Sequence, residues 1–138
     1  MNYLGLDIGN KRIGISISYS GIMANGLETH VRSTLNNDCN YIVELAQKNK
    51  IDVIVAGLPK HLNGDAHQQA EQNEVLCEAL RQRGLKIEYI DERLTSAAAE
   101  KAMLEADLSR KKRKENIDKL AAVIILQDYL DRKNGGIF

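Results

Sequence analysis

The sequence has few of the residues that stabilise aromatic or disulfide-rich cores. Trp is absent, Phe138 is the only Phe, Pro59 is the only Pro, and there are two cysteines in 138 residues. Cys39 and Cys77 have no short spacing, second pair or matching His cluster, which argues against a zinc site and a disulfide framework. We therefore expect two reduced thiols and a core of Ile, Leu, Val and Ala.

Long apolar runs and net charge are also lacking. No stretch approaches the roughly 18 uncharged apolar residues of a membrane-spanning helix, and Met1 to Leu6 lead into a strand pattern without a charged leader. We therefore expect a cytoplasmic protein with no membrane partner. The 19 basic and 19 acidic residues cancel, so only the distribution of charge can indicate a nucleic-acid partner.

The length and composition fit a single globular domain over residues 1–138. Hydrophobic residues make up 43% and charged residues 28%, which are ordinary values for a folded domain. The segment 132–138 contains Gly135 and Gly136, and we expect it to be a frayed tail.

Hydrophobic periodicity predicts an α/β fold in the order β-β-β-α-β-α-β-α-α. The predicted strands are 3–8, 12–18, 26–31, 51–56 and 86–90, and the predicted helices are 36–49, 65–84, 95–106 and 115–131. Asn37 or Asp38 is available to cap the first helix and Asp65 the second. An antiparallel meander followed by alternating helices and strands implies a mixed sheet with helices on both faces.

Asp7 is the first residue that could carry chemistry. It lies at the end of the first predicted strand, and alternation puts it on the face opposite Leu6 and Ile8. The structural alternative is a turn-forming Asp that hydrogen-bonds to its own backbone.

The second group, Asp91, Glu92 and Arg93, directly follows the last predicted strand. Functional groups in open α/β sheets gather beyond the carboxyl ends of strands, and adjacent carboxylates repel each other unless a cation is near. The alternative is a solvated loop in which Arg93 forms a local ion pair.

Asp118 shares a helix face with Ala121, Ala122 and Ile125, so it is predicted to face the protein. A buried unpaired carboxylate is costly, so either Lys114 or another positive charge should lie nearby. The alternative is a surface pair with Lys114.

Five consecutive basic residues precede Asp118: Arg110, Lys111, Lys112, Arg113 and Lys114. Cations at the start of a helix are disfavoured by the helix dipole, by roughly 0.3 to 1 kcal/mol each. Folding therefore does not require the cluster, whereas phosphate binding does.

Four blocks in order resemble the YqgF-type family of pre-16S rRNA nucleases, also described as Holliday-junction resolvases, within the ribonuclease H-like superfamily. They are LDIGNKRIGIS (6–16), VAGLPKHLNG (55–64), DERLTSAAAE (91–100) and SRKKRKENIDKLAAVIILQDYL (109–130). The resemblance spans essentially the whole chain. It implies a five-stranded mixed sheet and a cytoplasmic role in maturing the 5′ end of 16S rRNA.

The resemblance also implies an acidic catalytic site formed by Asp7, Glu92 and Asp118, with Asp91 as the substitute for Glu92. Such a site would hold Mg²⁺ or Mn²⁺, with two ions expected, because hard cations prefer oxygen ligands. The expected nucleic-acid contacts are Lys11, Arg12, Lys60, Arg93, Arg110, Lys111, Lys112, Arg113 and Lys114. The partner is an rRNA precursor or a DNA junction, and the protein is a monomer or a homodimer.

Three features or readings stay open at the level of sequence. The GLPKHLNG loop, with Lys60 and His61, suits substrate or phosphate contact, but it is equally well an ordinary strand-to-helix connection. An actin- or sugar-kinase-like phosphotransferase also opens with a strand carrying Asp-x-Gly, although such enzymes need two domains. A non-catalytic RNA-binding assembly factor would use only the basic residues.

Overall fold

The computed structural model describes residues 1–58, 64–91 and 110–135 of the chain, and the side chains of 1–58, 70–91 and 117–135. Its elements are β1 Tyr3–Ile8, β2 Arg12–Ser18, β3 Asn25–Val31, α1 Leu35–Lys48, β4 Val53–Leu58, α2 Gly64–Gln82, β5 Ile87–Asp91 and α3 Arg110–Lys133. The helix predicted over 95–106 lies outside these residues. All other predicted elements are confirmed.

The five strands form one mixed sheet in the order β3-β2-β1-β4-β5. The β1–β2 and β2–β3 pairs are antiparallel, whereas β1–β4 and β4–β5 are parallel. The predicted meander and the predicted mixed sheet are therefore both confirmed. The carboxyl ends of β1, β4 and β5 consequently lie at one end of the sheet.

Helices cover both faces of the sheet, as predicted. On one face, Leu4, Leu6 and Ile8 of β1 belong to a core cluster with Ile42 of α1 and Leu76 of α2. On the other face, a second cluster contains Tyr3, Val53 and Val55 of the sheet and Ile125 and Leu126 of α3. Strand alternation thus assigns each residue of the central strands to the α1/α2 face or to the α3 face.

The three helices that the structure describes all begin at the end of the sheet where β1, β4 and β5 finish. The α1 helix starts after β3, whose last residue Val31 pairs with Arg12 next to the end of β1. The α2 helix follows the carboxyl end of β4. The α3 helix runs antiparallel to β1, because Asp118 approaches Gly14 whereas Leu126 approaches Gly5. The positive ends of the helix dipoles therefore point to the same end of the sheet.

The helix starts differ from the predictions. Thr34 caps α1, with its hydroxyl accepting from the Asn37 amide at 3.1 Å, so the prediction of Asn37 or Asp38 as the cap is wrong. Asp38 is instead buried in the first turn and bonded to residues of β3 and the β3–α1 connection. The α2 helix begins at Gly64, so Asp65 lies in its first turn rather than at the cap.

The last helix is longer at both ends than the predicted 115–131. It begins at Arg110, so the basic run is part of the helix. It ends at Lys133, two residues into the segment predicted to be a frayed tail. Residues 136–138 of that segment lie outside the described residues.

Candidate active site

Asp7 is a nearly buried carboxylate on the α3 face of the sheet. Its relative exposure is 7%. Leu6 and Ile8 pack in the cluster under α1 and α2, so alternation along β1 directs Asp7 to the opposite face, as predicted. Asp7 therefore faces the helix that carries Asp118.

Gly14 brings α3 close to Asp7. Gly14 is the residue of β2 directly opposite Asp7, and a Cβ at Gly14 would collide with the backbone carbonyl of Asp118. Directly opposite residues in antiparallel strands point to the same face, with Cβ atoms about 5 Å apart. The backbone of Asp118 therefore rests on the sheet at the position next to Asp7.

Asp118 lies on the sheet-facing side of α3 and is partly buried. Ala121, Ala122 and Ile125, which follow it by three, four and seven residues, are buried at 0–1% exposure. This pattern confirms the predicted helix face. Small side chains at 121 and 122 let the helix backbone approach the strands next to the end of β1.

A buried hydrogen bond fixes the position of α3 along the strands of the sheet. The Ser16 hydroxyl donates to the Ala122 carbonyl at 2.7 Å. Gly5 makes room for the same stretch of helix, since a Cβ there would lie 2.8 Å from Leu126 Cβ. The fold thus sets the separation of Asp7 and Asp118 through backbone contacts as well as through side-chain packing.

Asp91 faces the other side of the sheet. Tyr89 packs with the α1/α2 cluster and Ile90 with the α3 cluster. Alternation along β5 therefore puts Asp91 on the α1/α2 face, away from Asp7. Glu92 and Arg93 lie outside the described residues.

The described part of the chain contains no group of three His, Cys, Asp or Glu residues able to hold a metal ion. The third predicted ligand, Glu92, is not among those residues. The two aspartates that are described supply carboxylate oxygens, the donors that Mg²⁺ and Mn²⁺ prefer. Their chemistry and their common position fit such an ion.

The predicted nucleic-acid contacts lie at the same end of the sheet wherever the structure describes them. Lys11 is exposed and Arg12 is half-buried, directly after the end of β1. Arg110 to Lys114 form the beginning of α3, which puts the run within about 12 Å of Asp118 along the helix axis. Lys60 and His61 lie outside the described residues.

Sequence reasoning missed a buried ion-pair cluster beside the β1–β2 connection. Asp38 is fully buried. Its Oδ1 accepts from the Ser33 amide at 3.0 Å and lies 2.8 Å from His30 Nε2, and its Oδ2 accepts from Arg32 Nε at 3.1 Å. Arg32 also donates to the Gly9 carbonyl at 3.1 Å. The cluster therefore braces the connection that follows Asp7.

The hydrogen bonds of this cluster control the ionisation of Asp38. Burial acts to raise the pKa of Asp38, but hydrogen bonds from Ser33, His30 and Arg32, with the charge of Arg32, outweigh it and hold the pKa below its ordinary value. The carboxylate is therefore ionised at neutral pH. The sequence alone indicates only that Asp38, like Asn37, is available to cap the first helix.

Both cysteines are free and buried, which confirms the predicted thiols. Among the helices in the described ranges, none combines the length and apolar character needed to cross a membrane.

The architecture is similar to a solved resolvase fold. The structure of T. thermophilus RuvC in complex with Holliday junction substrate matches 98% of this chain and 96% of that chain, with a TM-score of 0.62 and 15% identity. A second Thermus thermophilus RuvC structure matches with a TM-score of 0.57 and 14% identity. The chain therefore has the α/β fold of these structures, which is the ribonuclease H-like fold that the resemblance implied.

The family follows from the sequence comparison. The family model RuvX, described as Holliday junction resolvase, matches residues 1–132, and the chain belongs to this family. A relative from Clostridium kluyveri is 49% identical over 96% of this chain and 98% of its own length. Relatives from Clostridium tetani and Clostridioides difficile are 48% and 44% identical.

The names of these relatives bear on the enzyme class. All three are named "Putative pre-16S rRNA nuclease". The prediction of a hydrolase of the endonuclease class is confirmed at the level of the family. Membership of this family also favours a nuclease over the phosphotransferase alternative.

Proposed function

We propose that the protein is a metal-dependent endonuclease that cleaves phosphodiester bonds in the 5′ region of precursor 16S rRNA. The observation that carries the proposal is the approach of Asp7 and Asp118 across Gly14. The names of the relatives support the substrate. Ribosome assembly takes place in the cytoplasm, so we assign the protein to that compartment.

Asp7, Glu92 and Asp118 are the proposed catalytic and metal-binding residues. The alternation of β5 supports Glu92 over Asp91, because it puts Asp91 on the α1/α2 face, away from Asp7. Bound Mg²⁺ or Mn²⁺, with two ions expected, would lower the pKa of a water and stabilise charge on the scissile phosphate. We assign Asp7 as the shared ligand, because it lies on the central strand β1 and is more buried than Asp118.

The remaining residues of the site would bind and orient the substrate. Arg110 to Lys114, at the start of α3, would contact the nucleic-acid backbone together with Lys11 and Arg12 of the β1–β2 connection. Lys60 and Arg93 complete the proposed contacts. Backbone contacts of this kind hold a strand in register without reading its sequence, so cleavage specificity has to come from the shape of the substrate.

A direct test compares the wild-type protein with Asp7→Asn and Asp118→Asn on a labelled rRNA precursor in Mg²⁺ or Mn²⁺. We expect each variant to lose cleavage by about 100-fold or more, because metal ions supply several kcal/mol of charge stabilisation. Asp131→Asn is the matched control, since Asp131 is exposed near the other end of the same helix. Unchanged cleavage by Asp7→Asn would favour the non-catalytic assembly factor instead.

A four-way DNA junction is the second candidate substrate, and the description of the matching family favours it. Symmetric resolution of a junction requires two active sites related by a two-fold axis. A junction offered beside the rRNA precursor, with the molar mass of the protein measured in the same buffer, distinguishes the two substrates. Paired cuts by a dimer would support the resolvase, whereas cleavage of RNA alone by a monomer supports the proposed function.

A further inference from the structure

A groove beside the β1–β2 connection joins Lys11 and Arg12, already proposed as substrate contacts, to residues that have no role in the site described so far. It has a volume of about 580 Å³, within the roughly 300 to 1,000 Å³ of ordinary small-ligand pockets. It opens on the α1/α2 side of the sheet. Its walls are formed by Asn10, Lys11, Arg12, Val31, Arg32, Ser33, Leu35, Gln72 and Val75.

The groove is suited to an anion. Three of its nine lining residues, Lys11, Arg12 and Arg32, are cationic and none is acidic, although the chain as a whole has equal numbers of both charges. A neighbouring groove shares Leu35 and Val75 but is lined by Glu71, Glu74 and Glu78 of α2. The acidic neighbour would repel a polyanion and confine it to the basic groove.

Arg32 is held in place before any ligand binds. Its Nε donates to buried Asp38 and its Nη1 to the Gly9 carbonyl, and its side chain is only 15% exposed. A guanidinium fixed in this way loses little rotamer entropy when it binds a phosphate, and its planar fork suits phosphate oxygens. Asp38 therefore acts as a positioning residue for Arg32.

The groove also has an apolar rim next to the cations. Val31 is 69% exposed, Val75 is 55% exposed and Leu35 is 40% exposed. Exposed apolar side chains beside phosphate-binding cations suit a strand whose bases are unpaired, because base faces and sugars are then available for contact. A base-paired duplex hides these surfaces.

The groove begins close to the proposed catalytic aspartate. Asn10 follows Asp7 by three residues, so their Cα atoms lie at most about 11 Å apart. We propose that this groove binds the phosphodiester backbone of an unpaired RNA strand adjacent to the scissile phosphate, with Arg32 as its central contact. The proposal rests on the proposed nuclease function, for which it names the substrate feature that the protein recognises.

The experiment measures the salt dependence of RNA binding by the full chain with a chelator present, so that no RNA is cut. Fluorescence anisotropy of a labelled single-stranded RNA gives the slope of log K against log salt concentration for the wild-type protein and for Lys11→Gln and Arg32→Gln. Each lost phosphate contact should reduce the magnitude of the slope by about 0.7 on a single strand. We expect this reduction in both variants, and a smaller effect with a blunt RNA duplex.

Lys48→Gln is the matched control. Lys48 is an exposed cation in the last turn of α1, about 20 Å along the helix from the groove residue Leu35. The slope for Lys48→Gln should equal that of the wild-type protein. Lys11 is exposed, so Lys11→Gln remains informative if Arg32→Gln fails to fold.

Slopes for both groove variants that equal the slope for Lys48→Gln would overturn the proposal. If these two variants also have a lower molar mass in solution than the wild-type protein, the groove is instead a contact with a second copy of the chain. Since the assay does not depend on cleavage, either result is distinguishable from failure of the nuclease function, which Asp7→Asn tests.

Discussion

At the scale of single residues, the environment of each polar group depends on neighbours that no spacing rule identifies. Asp38 shows this. Its position near the start of the first predicted helix suits a cap, yet its side chain is buried beneath His30 and Arg32. The sequence carries no signal that His30 of β3 and Arg32 of the β3–α1 connection will both contact the first turn of α1. Thr34 takes the capping role instead.

Asp38→Asn should lower the free energy of unfolding by about 3 kcal/mol at neutral pH, because it leaves partly buried Arg32 and His30 without their anion. The pKa of Asp38 is lowered in the folded protein, so its contribution is complete above the unfolded pKa of about 3.9. It is lost as the pH falls through the folded value. Denaturant unfolding at a series of pH values measures the effect.

The exposed Glu44 on the same helix provides the comparison. Glu44→Gln should change the free energy of unfolding by less than about 0.5 kcal/mol at every pH. If Asp38→Asn had an equally small effect at pH 7, the ion-pair cluster would not stabilise the fold.

The two thiols should be unreactive in the folded protein. Burial raises the pKa of both, that of Cys77 to about 11 despite an opposing hydrogen bond with Tyr89, and only the thiolate is a good nucleophile. A thiol reagent at pH 8 should therefore label both cysteines quickly in urea and slowly in buffer. Rapid labelling of either one in buffer would contradict its buried position.

At the scale of elements, hydrophobic patterning was sufficient to predict most of the strands and helices. Alternation in β1 and β2 and the apolar run of β4 are local properties of the chain, so these strands could be predicted within two residues. The ends of α1 and α2 also lie within two residues of the predicted ends, whereas α3 begins five residues before its predicted start. The capping residue could not be predicted, because the energies that favour one cap over another differ by only about 1 kcal/mol. The start of α3 at Arg110 also runs against local preference, since five cations occupy its positive end.

The contact between α3 and β2 depends on Gly14. Gly14→Ala would push the new Cβ into the backbone of Asp118, and such overpacking costs about 1 to 3 kcal/mol. Displacing α3 would also move Asp118 away from Asp7, so cleavage should fall further than the loss of folded protein explains. Thermal unfolding and cleavage rates on the same preparation separate the two effects.

Gly26→Ala is a matched substitution under the same helix. A Cβ at Gly26 would meet Lys119 Cδ at 3.5 Å, an ordinary contact with a flexible side chain. Stability and cleavage should both stay close to wild type. Equal losses in the two variants would show that close approach at Gly14 has no special role.

At the scale of the whole molecule, the grouping of distant carboxylates could not be deduced from periodicity. Patterning assigned Asp7 to one face of a strand and Asp118 to one face of a helix, and only the resemblance implied that they share a site. The approach of the two residues depends on sheet order, on the direction of α3 and on a single glycine, and these are long-range properties. The basic groove escaped prediction for the same reason, because β2, β3, α1 and α2 all contribute to it.

A shared metal site makes the stability of the whole fold depend on Mg²⁺ or Mn²⁺. An ion that binds only the folded state stabilises it by about 2.7 kcal/mol at a concentration 100 times its dissociation constant. We expect either ion to raise the Tm of the wild-type protein and of Asp131→Asn, and to have a much smaller effect on Asp7→Asn and Asp118→Asn. Equal shifts in all four proteins would mean that the ions bind elsewhere, and the carboxylates at the end of β1 and on α3 would then need another role.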